Sequence, residues 1–310
     1  MNSRILVSGV SGPIGAALLP ALRASGSSVV RLVRGTAAGG ARGSARGRTQ
    51  NDAEIAWDPA RPISSDAVSG FDAVIHLAGE SIIGRWTAAK KQKIRESRVA
   101  GTGHLAQALA NAKMKPRVFI SSSAIGYYGD RGDEILKEES AAWTGFLPDV
   151  CREWEAATDP TVKAGIRTVQ IRTGIVLSTA GGALAKMLTP FKLGLGGIVG
   201  SGLQWMSWID VQDMVGAIQH IVKTDRLQGP VNLVAPTPVR NVEFTKTLAG
   251  VLSRPAIFPM PAFVVKLIFG EMGETVLLGS QRVEPGQLVA SGYSFQFREL
   301  LASLKATLGR

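Results

Sequence analysis

Apolar residues in this chain fall into short runs separated by longer stretches of helical spacing. Ile5-Leu6-Val7 ends at Ser8-Gly9, and Val29 to Val33, Ala73 to Leu77, Arg117 to Ser121 and Val169-Gln170-Ile171 are runs of the same kind. Between them, Ile14 to Ala24 (stopped by Gly26) and the long segment Ala88 to Ala112 repeat apolar residues at helical intervals. The runs are hydrophobic on both faces, as strands covered by helices on each side should be. Strand-like runs alternating with helical stretches predict βαβ units and a mostly parallel sheet, an α/β fold.

The texture changes twice. Gly35 to Asn51 holds glycines, arginines and small residues, and reads as a surface loop that forms no core element. After Leu177 come Ala180-Gly181-Gly182 and a glycine-rich connection from Leu193 to Gly202, and from Pro230 prolines punctuate the chain. These features predict residues 1–177 and 208–228 as a nucleotide-binding unit and residues 178–207 and 229–310 as a smaller, discontinuous C-terminal substrate domain. Phe263 to Leu278 carries an apolar stripe broken by Lys266, Glu271 and Glu274, which predicts an amphipathic helix covering the substrate pocket.

Composition narrows the class. Of 310 residues 45% are hydrophobic and 19% charged, enough apolar material for a large core and against disorder. The single cysteine, Cys151, has no partner for a disulfide, and no Cys/His spacing suggests a metal. Apolar sequence starts at Ile5 and no window is long enough to span a membrane, so a cytoplasmic protein without a membrane partner is expected. The net charge of +11 suggests nucleic acid at first, but seven arginines fall within the acid-free residues 1–51, leaving +4 over the other 259. That basic stretch lacks interleaved aromatics to stack on bases, so no nucleic-acid partner is expected.

The location of the charge matters because of what stands beside it. Gly9-Val10-Ser11-Gly12-Pro13-Ile14-Gly15 spaces three glycines between a strand and a helix. Glycine there permits a tight turn, close approach of a pyrophosphate and close helix–strand contact, while the helix start offers free N–H groups. This predicts a Rossmann-type doubly wound parallel sheet. A carboxylate for an adenosine ribose would stand at the end of the next strand, yet that end reads Arg31-Leu32-Val33-Arg34. Arginine suits a 2′-phosphate, so NADP(H) is the expected cofactor, with Arg34 on the extra phosphate. Arg31 is expected to be solvated, as are Arg42, Arg46 and Arg48.

The sequence resembles the extended short-chain dehydrogenase/reductase superfamily through GVSGPIG, His76-Leu77-Ala78-Gly79 and Ser121-Ser122-Ser123-Ala124. More narrowly it is similar to an atypical, sugar-epimerase-like branch with a C-terminal domain of unknown function. LAGESI, ESR at Glu96 to Arg98, SSSAIGYYGD, CREWEAA, the long stretch from RTGIVLS to IDVQD, GPVNLVAP and GEMGETVLLGSQRVEP carry that likeness. The resemblance implies NADP(H) binding by Gly9, Gly12, Pro13, Ile14, Gly15, Arg34, Leu77, Ala78, Gly79, Glu80, Arg98, Ser121, Ser122 and Trp154. It implies an oxidoreductase or epimerase acting on a small carbonyl or hydroxyl substrate.

The superfamily's catalytic pattern is a serine with a Tyr-x-x-x-Lys pair, in which tyrosine moves the proton and lysine lowers its pKa. Here Tyr127, Tyr128 and Tyr293 are followed at the fourth position by Arg131, Gly132 and Phe297, and the segment Phe146 to Glu155 has no tyrosine. Ser123 matches the superfamily serine. Tyr127 and Tyr128 are the candidate relocated acid/base, with Arg131 or Arg98 as the positive charge, or else they pack against the cofactor or line the pocket. Cys151 reads as buried packing. Epimerases that bind nucleotide sugars place an arginine within the stretch matching Leu203 to Trp208, where this chain has Met206 between Trp205 and Trp208. That disfavours a diphosphate and makes Lys186, Trp205, Trp208 and Arg282 the candidate substrate contacts. His76, His104 and His220 stand at unrelated spacings and suggest no triad. A catalytically silent NADP(H) sensor is the alternative, and a homodimer is the assembly expected.

Overall fold

A computed structural model describes residues 3–35 and 53–310. The expectations for Arg42, Arg46 and Arg48 lie outside the described residues. Seven parallel strands form the central sheet: β1 (Arg4–Ser8), β2 (Ser28–Arg34), β3 (Glu54–Trp57), β4 (Ala73–His76), β5 (Val118–Ala124), β7 (Arg167–Thr173) and β11 (Gly229–Leu233). Their order is β11-β7-β5-β4-β1-β2-β3, so the chain reverses direction across the sheet between β1 and β4. Crevices for ligands open at such a reversal, beyond the carboxyl ends of the strands.

Alternation along β1 explains the two layers of helices. Ile5 and Val7 join one buried cluster with Leu18 and Leu22 of α1 (Pro13–Ala24) and with Met214 and Ile218 of α6 (Val211–Lys223). Leu6 turns to the other side and joins Leu105 and Leu109 of α2 (Ala88–Ala110), Phe119 and Ile166. Helices α3 (Phe146–Ala156) and α4 (Asp159–Lys163) lie beside α2.

A second core gathers α5 (Gly182–Lys192), α7 (Asn241–Leu252) and α10 (Leu300–Leu308) around Leu184, Phe191, Trp208, Phe244, Leu248 and Leu304. Three short ladders stitch it to the sheet: β8 (Ile175–Leu177) with β10 (Trp208–Asp210), β9 (Trp205–Met206) with β12 (Val239–Arg240), and β6 (Ile135–Leu136) with β13 (Arg282–Val283). Helix α8 (Ala262–Phe269) packs through Phe269 on a separate cluster with Trp86, Ile94 and Met272, and α9 (Gly286–Ala290) buries Leu288 in the core on the α1 and α6 side of the sheet.

Two expectations are corrected here. Residues 229–233 belong to the central sheet as its edge strand, although proline punctuation placed them in the second unit; Pro230 is tolerated because it stands at the start of an edge strand. The helix expected over Phe263 to Leu278 ends at Phe269, where Gly270 takes φ +60°, and resumes only as a single wide turn at Gly273–Leu277. Its apolar side chains do not cover a pocket: Phe263 and Leu267 are 71% and 70% exposed. Among the described residues no helix is long and apolar enough to cross a membrane.

Where β1 and β4 end, Ser8 Oγ and His76 Nδ1 lie 2.7 Å apart in a fully buried pair, with Trp57 and Phe119 against the imidazole. Burial pushes His76 down from its ordinary 6.5 to about 4. Between those values the unfolded chain binds a proton that the folded protein refuses. Stability is therefore complete above about pH 6.5 and falls as pH drops to about 4, by at most on the order of 3 kcal/mol. Urea titrations across this range should show that loss in the wild type and a flatter profile in His76→Gln, which cannot ionise; parallel profiles would remove His76 as the cause.

Candidate active site

The glycine turn after β1 is shaped by contact with the end of β4. Gly9 has φ +71°, and a Cβ there would stand 2.5 Å from the Leu77 carbonyl carbon and 2.7 Å from the Ala78 nitrogen. A Cβ at Gly15 would stand 2.5 Å from the Gly9 oxygen, so the first turn of α1 sits directly on the loop. Gly12 differs: its absent Cβ would meet only the Gly9 oxygen, at 3.4 Å. Gly12 is also the N-cap of α1 and provides no side-chain bond to it, and Pro13 follows without an N–H. The uncapped, positive end of α1 thus opens on a cradle with room for a phosphate. Gly181 of the second unit lies beside the Pro13 ring.

At the other side of the reversal, Arg34 is the exposed last residue of β2. Arg31 is not solvated as expected: its side chain is 11% exposed and pairs with Glu54 of β3. Glu80, beyond β4, accepts a 2.8 Å bond from Lys90 Nζ, and its N–H donates to Ser97 Oγ at 3.0 Å. The Lys90 bond is the chief reason the Glu80 carboxyl lies below its ordinary range, with the charges of Arg34 and Lys93 adding to it. Lys90 and Lys93 were missed from sequence. Their signal was a basic first half of α2, where the helix dipole would favour acids.

Helix α3 brings Cys151 and Glu155, four residues apart, against the end of β5. Ser123 Oγ donates to Glu155 Oε1 at 2.6 Å. Arg172 of β7 clamps the same carboxylate through Nε and Nη2, both at 2.8 Å. Its Nη1 donates to the Tyr128 hydroxyl and to the Glu138 carbonyl, each at 3.0 Å. Tyr128 in turn donates to Asn232 Oδ1 at 2.7 Å. Glu138 Oε1 accepts from the N–H groups of Asn232 and Gln287. Burial works against the Arg172 charge, and Glu155 more than offsets it. Burial also raises Glu138, pushes Tyr128 up to about 12, and pushes the Cys151 thiol up to about 12.

The two adjacent tyrosines therefore part company. Tyr128 is fully buried with its hydroxyl committed, so it does not reach a ligand. Tyr127 is half-buried, with the Arg172 guanidinium 3.5 Å above its ring, and its hydroxyl bonds to no described residue. Arg131 is occupied by Glu134 and stands over Trp143.

The other candidates separate in the same way. Trp205 and Arg282 meet, guanidinium 4.6 Å from ring, beside Arg240 and Asp133. Trp208 is corrected to a core residue: it is fully buried and donates to the Thr237 carbonyl at 3.0 Å. Met206 is buried too, and Lys186 is exposed on α5. Ser121 is buried and Ser122 half-buried inside β5, while Trp154 is buried with its Nε1 on Thr102 Oγ1 at 2.9 Å. Arg98 stacks on that indole at 5.0 Å and lies against Gly79. Glu155, Arg172, Asn232 and Glu138 were not anticipated, because each acquires its role from partners on other elements.

A family model described as the NAD dependent epimerase/dehydratase family matches residues 5–147, and one for a domain of unknown function matches residues 260–307. An epimerase family protein of Mycobacterium bovis is 40% identical over 95% of this chain and 94% of its own length. The chain belongs to the epimerase family of extended short-chain dehydrogenases/reductases. Among solved structures, the human family member SDR39U1 (isoform 2), crystallised with NADPH, superposes with a TM-score of 0.85 at 32% identity, covering 99% of both chains. A nucleoside-diphosphate sugar epimerase from Corynebacterium glutamicum gives 0.79 at 34% identity over the whole of this chain and 59% of its own.

The Arg172–Glu155 ion pair yields a stability test. Arg172→Met strands the Glu155 carboxylate, and should cost about 3–5 kcal/mol in denaturant unfolding. Adding Glu155→Gln should recover part of that loss. Additive losses would show that the two side chains do not depend on one another.

Proposed function

We propose that this chain binds NADP(H) across the β1/β4 reversal and is an oxidoreductase or epimerase acting on a small hydroxyl or carbonyl compound. The observation that carries the reading is the crevice itself. An uncapped helix start faces an open glycine turn at one end, and Arg34, Lys90 and Lys93 gather at the other. The lone carboxylate among these cations, Glu80, is held by Lys90. The NADPH in the human relative supports the same assignment.

The residues fit the cofactor without rearrangement of the turn. Gly9 and Gly15 keep the loop tight, Gly12 leaves room for the pyrophosphate, and Arg34 with Lys90 and Lys93 would meet the 2′-phosphate. When bound, the nicotinamide supplies hydride exchange at its C4. This chain must then manage a proton, and Tyr127 is the phenol available for it: half-buried, hydroxyl unengaged, ring held under Arg172. Ser123 gives its own hydrogen to Glu155 and so offers a substrate only its lone pairs. The same inward commitment of Ser123 and Tyr128 favours the second reading, a silent NADP(H) sensor, and Tyr127 decides between them.

In a thermal-shift series NADPH and NADP⁺ should stabilise the protein well above NADH and NAD⁺, and Arg34→Ala should remove most of the difference. Equal shifts from all four nucleotides would sink the assignment. On a panel of small carbonyl compounds, Tyr127→Phe should lower NADPH consumption by roughly 10²-fold or more while leaving NADPH affinity unchanged. Turnover unaffected by that change would exclude Tyr127 from proton transfer, and no turnover by the wild type would favour the sensor.

A further inference from the structure

Among the described residues, the arginines drawn wholly or partly out of water are compensated, with one exception. Arg172 has Glu155, Arg31 has Glu54, and Arg167 donates to the carbonyls of Ile221, Val222, Thr224 and Leu227. Arg98 of α2 has a single hydrogen bond, from Nη1 to the Ile94 carbonyl at 3.1 Å, within its own helix. One face of the guanidinium lies on the Trp154 indole, and Gly79 stands beside it, where a Cβ would come 3.5 Å from Cζ. No described carboxylate reaches ion-pair distance: Glu80 is bonded to Lys90, and the neighbouring Cys151 thiol remains neutral because burial pushes it up to about 12. A guanidinium withdrawn from water in this way needs an anion to offset its desolvation.

The cofactor's own anions have other partners. On the reading above, which this inference rests on, the pyrophosphate meets the start of α1 and the 2′-phosphate meets Arg34, Lys90 and Lys93. Arg98 stands further along the carboxyl edge of the sheet, between the Gly79 loop and α3, on the side where Ser123 and Tyr127 lie. We propose that Arg98 is a substrate-binding residue that holds the carboxylate of a small hydroxy or oxo acid. A monoanion balances the single charge of this guanidinium. The planar fork of the guanidinium fits a carboxylate edge-on, and the indole and glycine walls leave a flat slot for it.

The probe is oxamate, a stable mimic of a 2-oxo acid, with uncharged oxamide as its control. Thermal shift and calorimetry on the NADPH-loaded protein should show binding of oxamate and none of oxamide. Arg98→Gln should weaken oxamate at least tenfold, about 1.4 kcal/mol, and leave the NADPH dissociation constant within about threefold. Arg98→Lys, which keeps the charge without the fork, should retain part of the oxamate affinity. The proposal is overturned if the wild type does not bind oxamate, if Arg98→Gln binds it equally well, or if that variant loses NADPH affinity tenfold instead. The last result would assign the guanidinium to a cofactor phosphate. If NADPH itself fails to bind, the reading of the crevice has failed separately, and oxamate titrated without nucleotide still reports on Arg98.

Discussion

The structure depends most on a charge withdrawn from water. Arg172 sits on an interior strand with 3% of its side chain exposed, and a guanidinium so placed survives only if its donors are met. They are met by Glu155 of α3, the Tyr128 hydroxyl after β5, and the Glu138 carbonyl. Glu138 then binds the backbone of Asn232 on β11 and of Gln287 in the second unit. A single buried cation thereby ties β7, the end of β5, the edge strand β11, helix α3 and the C-terminal unit to one another. The site's geometry follows from satisfying that charge.

The same constraint explains the altered chemistry. The Glu155 carboxylate brings negative charge to α3 beside the end of β5, and Arg172 makes its burial tolerable. The carboxylate draws in the Ser123 hydrogen and the guanidinium draws in the Tyr128 hydroxyl, so two groups that would face a substrate face the protein instead. Cys151, one turn before Glu155 on α3, stays a neutral thiol. What remains exposed to a ligand is Tyr127, stiffened by the cation above its ring, together with the crevice glycines and the cations of α2.

Local rules carried much of the fold into the sequence. The buried runs, the glycine turn and the long helix are each set by neighbours within a few residues, so spacing alone revealed them. The errors came from contacts between distant segments. Arg31 looked solvated because Glu54, its partner, lies 23 residues further along the chain. Trp208 looked like a pocket wall, yet the second core needed a large side chain opposite Phe244 and Leu248. Glu155 and Arg172 looked ordinary singly, since a buried ion pair is a property of two elements at once. Residues 229–233 read as part of the second unit because Gly229-Pro230 hides the start of an edge strand.

The basic excess of the first 51 residues turns out to explain less than its position suggested. Of its described arginines, Arg4 stands over Phe71 and donates to the Gly70 carbonyl, Arg23 lies in the last turn of α1, and Arg31 is spent on Glu54, leaving Arg34 as the one at the crevice. Helix α2 does more. Its buried residues Ile94, Gly101, Leu105 and Leu109 fix its rotation, and Gly101 lets it lie close to Pro59 and Trp57. That rotation sets Lys90 and Lys93 near Arg34, and Arg98 against Gly79 and Trp154. Lys90 and Arg98 are eight residues apart, roughly 12 Å of helix, so one rigid element spreads positive charge from the adenosine end of the crevice towards α3. A rigid helix holds such charges at fixed separation, and fixed separation is what a ligand with anions at its two ends requires.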